Sequence, residues 1–265
     1  MKRYEEYNRK AWNYAMHLHQ KANKNKYDEM FQNSDNTVFC SLEQAFLLKQ
    51  VVIKGKRIIH LCCNNGVELM SFYNLQAAYC CGVDICDEAI IEAKERCNKL
   101  GYPIEFIRAN VYDIQDIIVD KFDLVYISVG TIRWLHDLEC FFNICYQLLK
   151  PKGKMYIHDV HPIAEIINDD RVLKKSPMEI ITSYNRKEEL FDFGSLDYIG
   201  HTDNRGERRV WFIHSFTDII GSLLKNNFRI NYFEENEKDI AEVYHLVEKS
   251  KVKVPLSFKL VVVKE

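Results

Sequence analysis

Arg57-Ile-Ile-His60-Leu-Cys-Cys-Asn-Asn-Gly66-Val-Glu68 is the stretch on which the fold of this chain turns. It opens as a short β-branched, apolar run and closes as a polar turn ending in glycine, followed by a helix-compatible segment over 66–76. A strand that feeds a helix through so short a turn starts a β-α-β unit. Such units then repeat. Residues 78–83 read as a second strand, and Asp87 is placed to cap a helix ending near Gly101. Third and fourth strands follow at 104–109 and 122–128. A helix over 137–149 is closed by Pro151-Lys-Gly153, and a fifth strand runs over 154–160. Strands apolar on both faces and alternating with helices predict an open, doubly wound α/β sheet covered on each side.

Outward from this centre the pattern changes. Residues 1–30 are polar with interspersed aromatics (Tyr4, Tyr7, Trp12, Tyr14), and 1–40 read as a helical arm or lid. Ser41-Leu-Glu-Gln44 has capping-box spacing for a short helix ending near Gly55. Beyond Pro162 the rhythm breaks, and a departure as long as 163–214 predicts a cap or binding insertion within a main domain of 41–265. Ser215 then caps a helix to about Asn226. A strand over 228–234, a weak helix over 238–250 and a last strand over 256–263 complete the chain.

Composition limits the function. The 265 residues are 47% hydrophobic and 28% charged, which excludes a disordered scaffold. With 36 Lys and Arg against 38 Asp and Glu, no bulk positive field is available to hold nucleic acid. Neither a signal-peptide core nor an apolar run of about 20 residues is present, so a cytoplasmic protein without a membrane partner is expected. The nine cysteines fall in apolar stretches. Neighbours such as Cys62-Cys63 and Cys80-Cys81 would point to opposite faces of a strand, and no metal site is expected.

In an open α/β sheet the ligand lies at the carboxyl ends of the strands, and the first turn is the usual cofactor contact. A dinucleotide-binding G-x-G-x-x-G would need glycine where this turn has Cys62, Asn64 and Val67. The order of pieces instead resembles the class I S-adenosylmethionine (SAM) dependent methyltransferases. His60 stands at the acidic position of their first motif, Cys62 and Asn64 at its first two glycines, and Gly66 at the third. The turn resembles that of a bacterial small-molecule branch of that family, which reads His-Leu-x-Cys-x-x-Gly. The likeness continues through Gly82-Val-Asp84-Ile85, Phe106-Ile-Arg-Ala-Asn110-Val111 and the stretch from Phe122 to Leu138. It extends to Leu149-Lys-Pro-Lys-Gly153, His158-Asp-Val-His161-Pro162 and Pro255-Leu-Ser-Phe258.

The resemblance implies a Rossmann-like seven-stranded sheet, mostly parallel with the last strand antiparallel, SAM as cofactor, and methyl transfer to O or N of a small-molecule acceptor. The alternatives are a non-catalytic SAM-binding protein of the same fold, or a protein or nucleic-acid methyltransferase. It implies His60, Cys62, Asn64 and Gly66 at the methionine end of the cofactor. Asp84 falls on the ribose, Ile85, Asn110 and Val111 around adenine, and Ser128, Val129 and Gly130 at the transfer centre. Trp12 is the candidate lid over a sulfonium. Trp134, Tyr198 and Trp211 are candidate walls of the acceptor pocket. His161 is the candidate base, with His158, His136 and His201 behind it.

Overall fold

The computed structural model describes residues 3–23, 25–167, 178–197, 199 and 205–265. In chain order these form α1 (Arg3–Asn23), α2 (Lys26–Met30), α3 (Ser41–Phe46), β1 (Arg57–Leu61), α4 (Val67–Asn74), β2 (Tyr79–Asp84) and α5 (Asp87–Leu100). Next come β3 (Glu105–Arg108), β4 (Phe122–Ile127), α6 (Leu138–Leu148), β5 (Leu149–Val160), β6 (Leu190–Asp192) and β7 (Arg209–Trp211). The last elements are α7 (Phe216–Lys225), β8 (Phe228–Asn236), α8 (His245–Glu248) and β9 (Ser257–Lys264).

Seven strands form one sheet in the order β3-β2-β1-β4-β5-β9-β8. Strands β1 to β5 are parallel, and β9 is antiparallel to both β5 and β8. The order reverses between β1 and β4, which makes the C-terminal ends of those two strands the place where a ligand can enter between diverging crossovers. The expected architecture is therefore present, with the one antiparallel strand last in the chain.

Each face of the sheet has its own core. Phe141, Phe142 and Leu148 of α6 and Leu223 of α7 pack on Ile59, Val125 and Ile157. On the other face Leu69 and Phe72 of α4 and Ile90 and Ala93 of α5 pack on Ile58, Leu124 and Tyr156. The adjacent cysteines divide as the pleat requires, Cys81 into the first core and Cys80 into the second. Gly82 makes the second core possible, because a Cβ there would sit 2.7 Å from both Cys63 Sγ and Leu69 Cδ1.

Local details differ from the sequence reading where long-range contacts outweigh local signals. Asp137 and Ser215 do cap their helices, the latter in a reciprocal box with Asp218. Asp87, however, is the first residue of α5, and the Cys86 N–H before it is held by Asp84 Oδ1 at 2.8 Å. The Ser41 side chain makes no cap bond, and α3 runs into a π turn over Leu47–Val51 instead of continuing toward Gly55. β5 starts at Leu149 and carries the Pro151-Lys-Gly turn inside it, with Lys152 left-handed at φ +62°. Of 238–250 only the single turn α8 is α-helical. Within 163–214, β6 and β7 pair as a separate small antiparallel sheet.

Candidate active site

The turn after β1 is the geometric centre of the lip. Cys62, Asn64 and Gly66 have φ of +58°, +48° and +73°, so alternate residues are left-handed although only the last is glycine. Asparagine tolerates that region through its short polar side chain, whereas cysteine has no such compensation and is held there by its surroundings. The Cys63 N–H donates to the Val83 carbonyl at 3.0 Å, and the Asn64 N–H to Asp84 Oδ2 at 2.8 Å. The turn is thereby fastened to the end of β2. Gly66 is the N-cap of α4 and lies against the Phe106 ring, 2.4 Å from where a Cβ would stand.

Asp84 ends β2 half-buried, with one backbone N–H on each carboxylate oxygen. Burial pushes its carboxyl upward against the N–H groups of Cys86, Asn64 and Ile85. Each oxygen keeps a lone pair for a further donor. Beside it the ends of β2 and β3 run together: Asp84 pairs with Arg108, and the Ala109 N–H donates to the Asp84 carbonyl at 2.9 Å. Ile85 and Asn110 thus leave neighbouring strands. The Asn110 side chain caps the following 3-10 turn through the Tyr112 N–H at 3.3 Å, while Val111 is built into the first core.

His60 is fully buried at the end of β1, 4.7 Å from the Tyr126 ring. Its Nε2 lies 2.9 Å from the Ser128 hydroxyl, and its Nδ1 has no hydrogen-bond partner among the described residues. Burial pushes the imidazole down to about 3, so it is neutral at physiological pH. Glu68, in the first turn of α4, is pushed the other way by burial, to about 7. This residue escaped the sequence reading, since its position in the first turn suggested only a favourable dipole contact.

After β4 the chain passes through Ser128, the exposed Val129 and the left-handed Gly130. This loop is held by Asp159 of β5, which the sequence reading also missed. Its carboxylate accepts from the N–H groups of Gly130, Ile132 (2.9 Å) and Val160 (2.7 Å). Burial raises the Asp159 carboxyl to about 7 in the folded protein. Unfolding therefore releases a proton between about pH 4 and 7, so this group's contribution to stability is full below pH 4 and lost as pH rises toward 7. Asp159→Asn is expected to lower stability by about 1–3 kcal/mol, because an amide N–H₂ would face a backbone donor. It should also change the slope of stability against pH over that window; urea melts at pH 4.5 and 7 test both effects.

Helix α1 spans the lip. Trp12 packs on Cys86 and Ala89 and meets the Trp134 ring edge-to-face at 5.7 Å. Asn13 donates to Asp87 at 2.8 Å, Arg9 pairs with the same carboxylate, and the Asn8 amide pairs with the Val210 backbone through two 2.8 Å bonds. Helix α1 thus bridges the β2–α5 turn and β7. The guanidinium groups of Arg133 and Arg209 lie 5.4 and 5.5 Å from the ring centre of Trp211 of β7.

The histidines separate. His161 is buried against Phe216, its Nδ1 accepts from the Ile163 N–H at 3.0 Å, and its Nε2 lies 2.7 Å from Glu235. Both nitrogens are occupied, which makes it a strut between β5 and β8 and leaves no atom for a base. His136 Nδ1 lies 3.4 Å from Glu5. His158 lies 3.3 Å from Glu43, whose carboxyl is held down to about 2 against its burial by His158, Tyr156 and Lys259. Tyr198 and His201 fall outside the described residues. Among the described residues no helix is long and apolar enough to cross a membrane.

With this geometry in view, comparison with known proteins is decisive for the fold. Residues 59–157 match the family model described as a methyltransferase domain. The chain has the class I methyltransferase fold. A SAM-dependent methyltransferase structure from Listeria monocytogenes, described as putative, superposes with a TM-score of 0.60 at 19% identity, over 80% of this chain and 92% of that one. One from Clostridium acetobutylicum ATCC 824 gives 0.56 at 16% identity, over 93% and 97%. Geranyl diphosphate C-methyltransferase from Streptomyces coelicolor A3(2) gives 0.58 at 12% identity, over 85% and 79%. By sequence, the mitochondrial ubiquinone biosynthesis O-methyltransferase of Bos taurus is 28% identical over 112 residues, which is 41% of this chain and 30% of that protein. The matched methyltransferase domain begins within β1 and ends within β5, so it contains the left-handed turn, Asp84 and the β4 loop.

Proposed function

We propose that this chain is a SAM-dependent methyltransferase that modifies an O or N atom of a small molecule. The observation that carries the reading is the alternating left-handed turn at Cys62, Asn64 and Gly66, bonded to Asp84 at the end of β2 beside the switch point. The residues present fit SAM. Asp84 offers a spare lone pair on each oxygen to a ribose diol, and the buried Nδ1 of His60 lacks a partner that an ammonium group could supply. The turn and the first N–H groups of α4 suit a carboxylate. Ile85, Asn110 and Val111 are assigned to adenine, and Ser128, Val129 and Gly130 to the donor's methyl end.

When bound, SAM supplies a methyl group on a sulfonium, already activated for in-line displacement. The protein's share is alignment and exclusion of water. Asp159 fixes the β4 loop so that Gly130 keeps one position. Trp12 of α1 and Trp134 of the turn after β4 meet over the lip and form an aromatic surface with affinity for a cation. Trp134, Trp211 and, outside the described residues, Tyr198 are assigned to the acceptor, and a small apolar or aromatic molecule suits such walls. The O-methyltransferase name of the bovine relative supports an oxygen acceptor. If a proton must be removed, His158 with Glu43 behind its Nδ1 takes that role in place of His161. The near-neutral charge and nine free cysteines fit a cytoplasmic enzyme acting on metabolites.

Incubating the protein with methyl-labelled SAM and a metabolite extract is expected to yield a labelled small molecule. His158→Gln should slow that transfer by about 10²-fold or more while His161→Gln leaves it near wild type. Label recovered only in protein or nucleic acid, or nowhere, refutes the small-molecule reading.

A further inference from the structure

At the end of the sheet away from the lip, the starts of β1, β4 and β5 surround a concavity of about 310 Å³, a volume within the range of small-molecule sites. Val51, Val52 and Leu124 form an apolar wall, and Lys56, Lys152, Lys154 and Asp123 the polar one. The charges do not cancel. Asp123 already accepts from the Arg57 N–H and from Lys150, each at 2.9 Å. Lys154 donates to the Gln50 carbonyl at 2.6 Å, and burial together with the charge of Lys56 pushes its amine downward. Lys56 and Lys152 form no close ion pair among the described residues, although the charge of Lys56, with that of Lys150, helps hold the Asp123 carboxyl down. Lys56 and Lys154 repel each other across the hollow, and an anion seated between them would relieve that repulsion.

The backbone of the same hollow is strained. Val52 and Lys152 are left-handed at φ +65° and +62°, and the π turn of Leu47–Val51 ends at its rim. A β-branched residue at positive φ is a true outlier, and such strain persists where the surroundings impose it. Val52 is nonetheless 46% exposed, with its side chain on the wall of the hollow instead of in the core.

We propose that this concavity binds the phosphate group of a small phosphorylated molecule, with Lys56, Lys152 and Lys154 on its oxygens and the exposed Val52 against its organic part. An ammonium group is a compact, mobile donor suited to such an oxyanion. The site shares no residue with the lip and stands or falls independently of methyl transfer.

The test uses the full chain with phenyl phosphate, inorganic phosphate and sodium chloride at matched ionic strength, read by calorimetry and thermal shift. Saturable binding is expected, tighter for phenyl phosphate than for inorganic phosphate, and weakened about tenfold in each of Lys56→Ala and Lys154→Ala. Both variants should bind SAM as the wild type does, which separates failure here from failure at the lip. Shifts no larger than those of sodium chloride, or equal binding by wild type and both variants, would overturn the site. Equal affinity for phosphate and its phenyl ester would overturn the role of the apolar wall.

Discussion

Asp84→Ala is expected to weaken SAM binding by about a hundredfold or more. The expected size follows from the site: a carboxylate accepting from two ribose hydroxyls contributes about 1.5–3 kcal/mol for each hydrogen bond to a charged group. The same side chain holds the N–H groups of Asn64 and Cys86, so its loss also loosens the turn after β1 and the start of α5. Asp84→Asn separates the two contributions, because its amide oxygen retains one backbone bond and part of the ribose contact, and it should fall between wild type and alanine. Calorimetric affinity beside thermal stability distinguishes lost contacts from a disordered turn. If alanine leaves affinity unchanged, the ribose is held elsewhere and the end of β2 has been misassigned.

Gly66→Ala is expected to cost about 2–5 kcal/mol of stability. About 1–2 kcal/mol comes from placing a Cβ at φ +73°, and the remainder from overpacking against Phe106, whose Cε1 and Cζ lie 2.4 and 2.5 Å from the new atom. Gly101 is a useful contrast: it has φ +77° but nothing within 4 Å of an added Cβ, so alanine there incurs only the conformational part. Introducing Gly66→Ala into a Phe106→Leu background should recover most of the steric part and none of the conformational one. Urea denaturation of the four proteins resolves the pair. A loss below about 1 kcal/mol for Gly66→Ala would mean that the turn relaxes freely and is not rigidly seated on β3.

The parts of this molecule visible in the sequence are those determined by near neighbours. The alternation of apolar strands with helices predicted the order of the parallel units, and Asp84 followed from its place between a strand and a helix. At Cys62 and Asn64, where the resembled motif has glycine, the backbone is left-handed. What escaped notice depends on partners distant in the chain. Asp159 matters through N–H groups 27 and 29 residues away, and His161 is occupied by Glu235, 74 residues away. The capping-box spacing at Ser41 was overridden because Glu43 is drawn into the sheet by Tyr156, His158 and Lys259. No local pattern of residue types reports such contacts.

The most direct measurement is titration calorimetry of the wild-type chain with SAM, with its demethylated product S-adenosylhomocysteine, and with NADH. A sulfonium donor seated at the β1–β4 switch point requires one site per chain for the first two ligands, mutually competitive and weakened by Asp84→Ala, and no heat from NADH. Silence toward SAM at millimolar concentration, or competition by NADH, would contradict it.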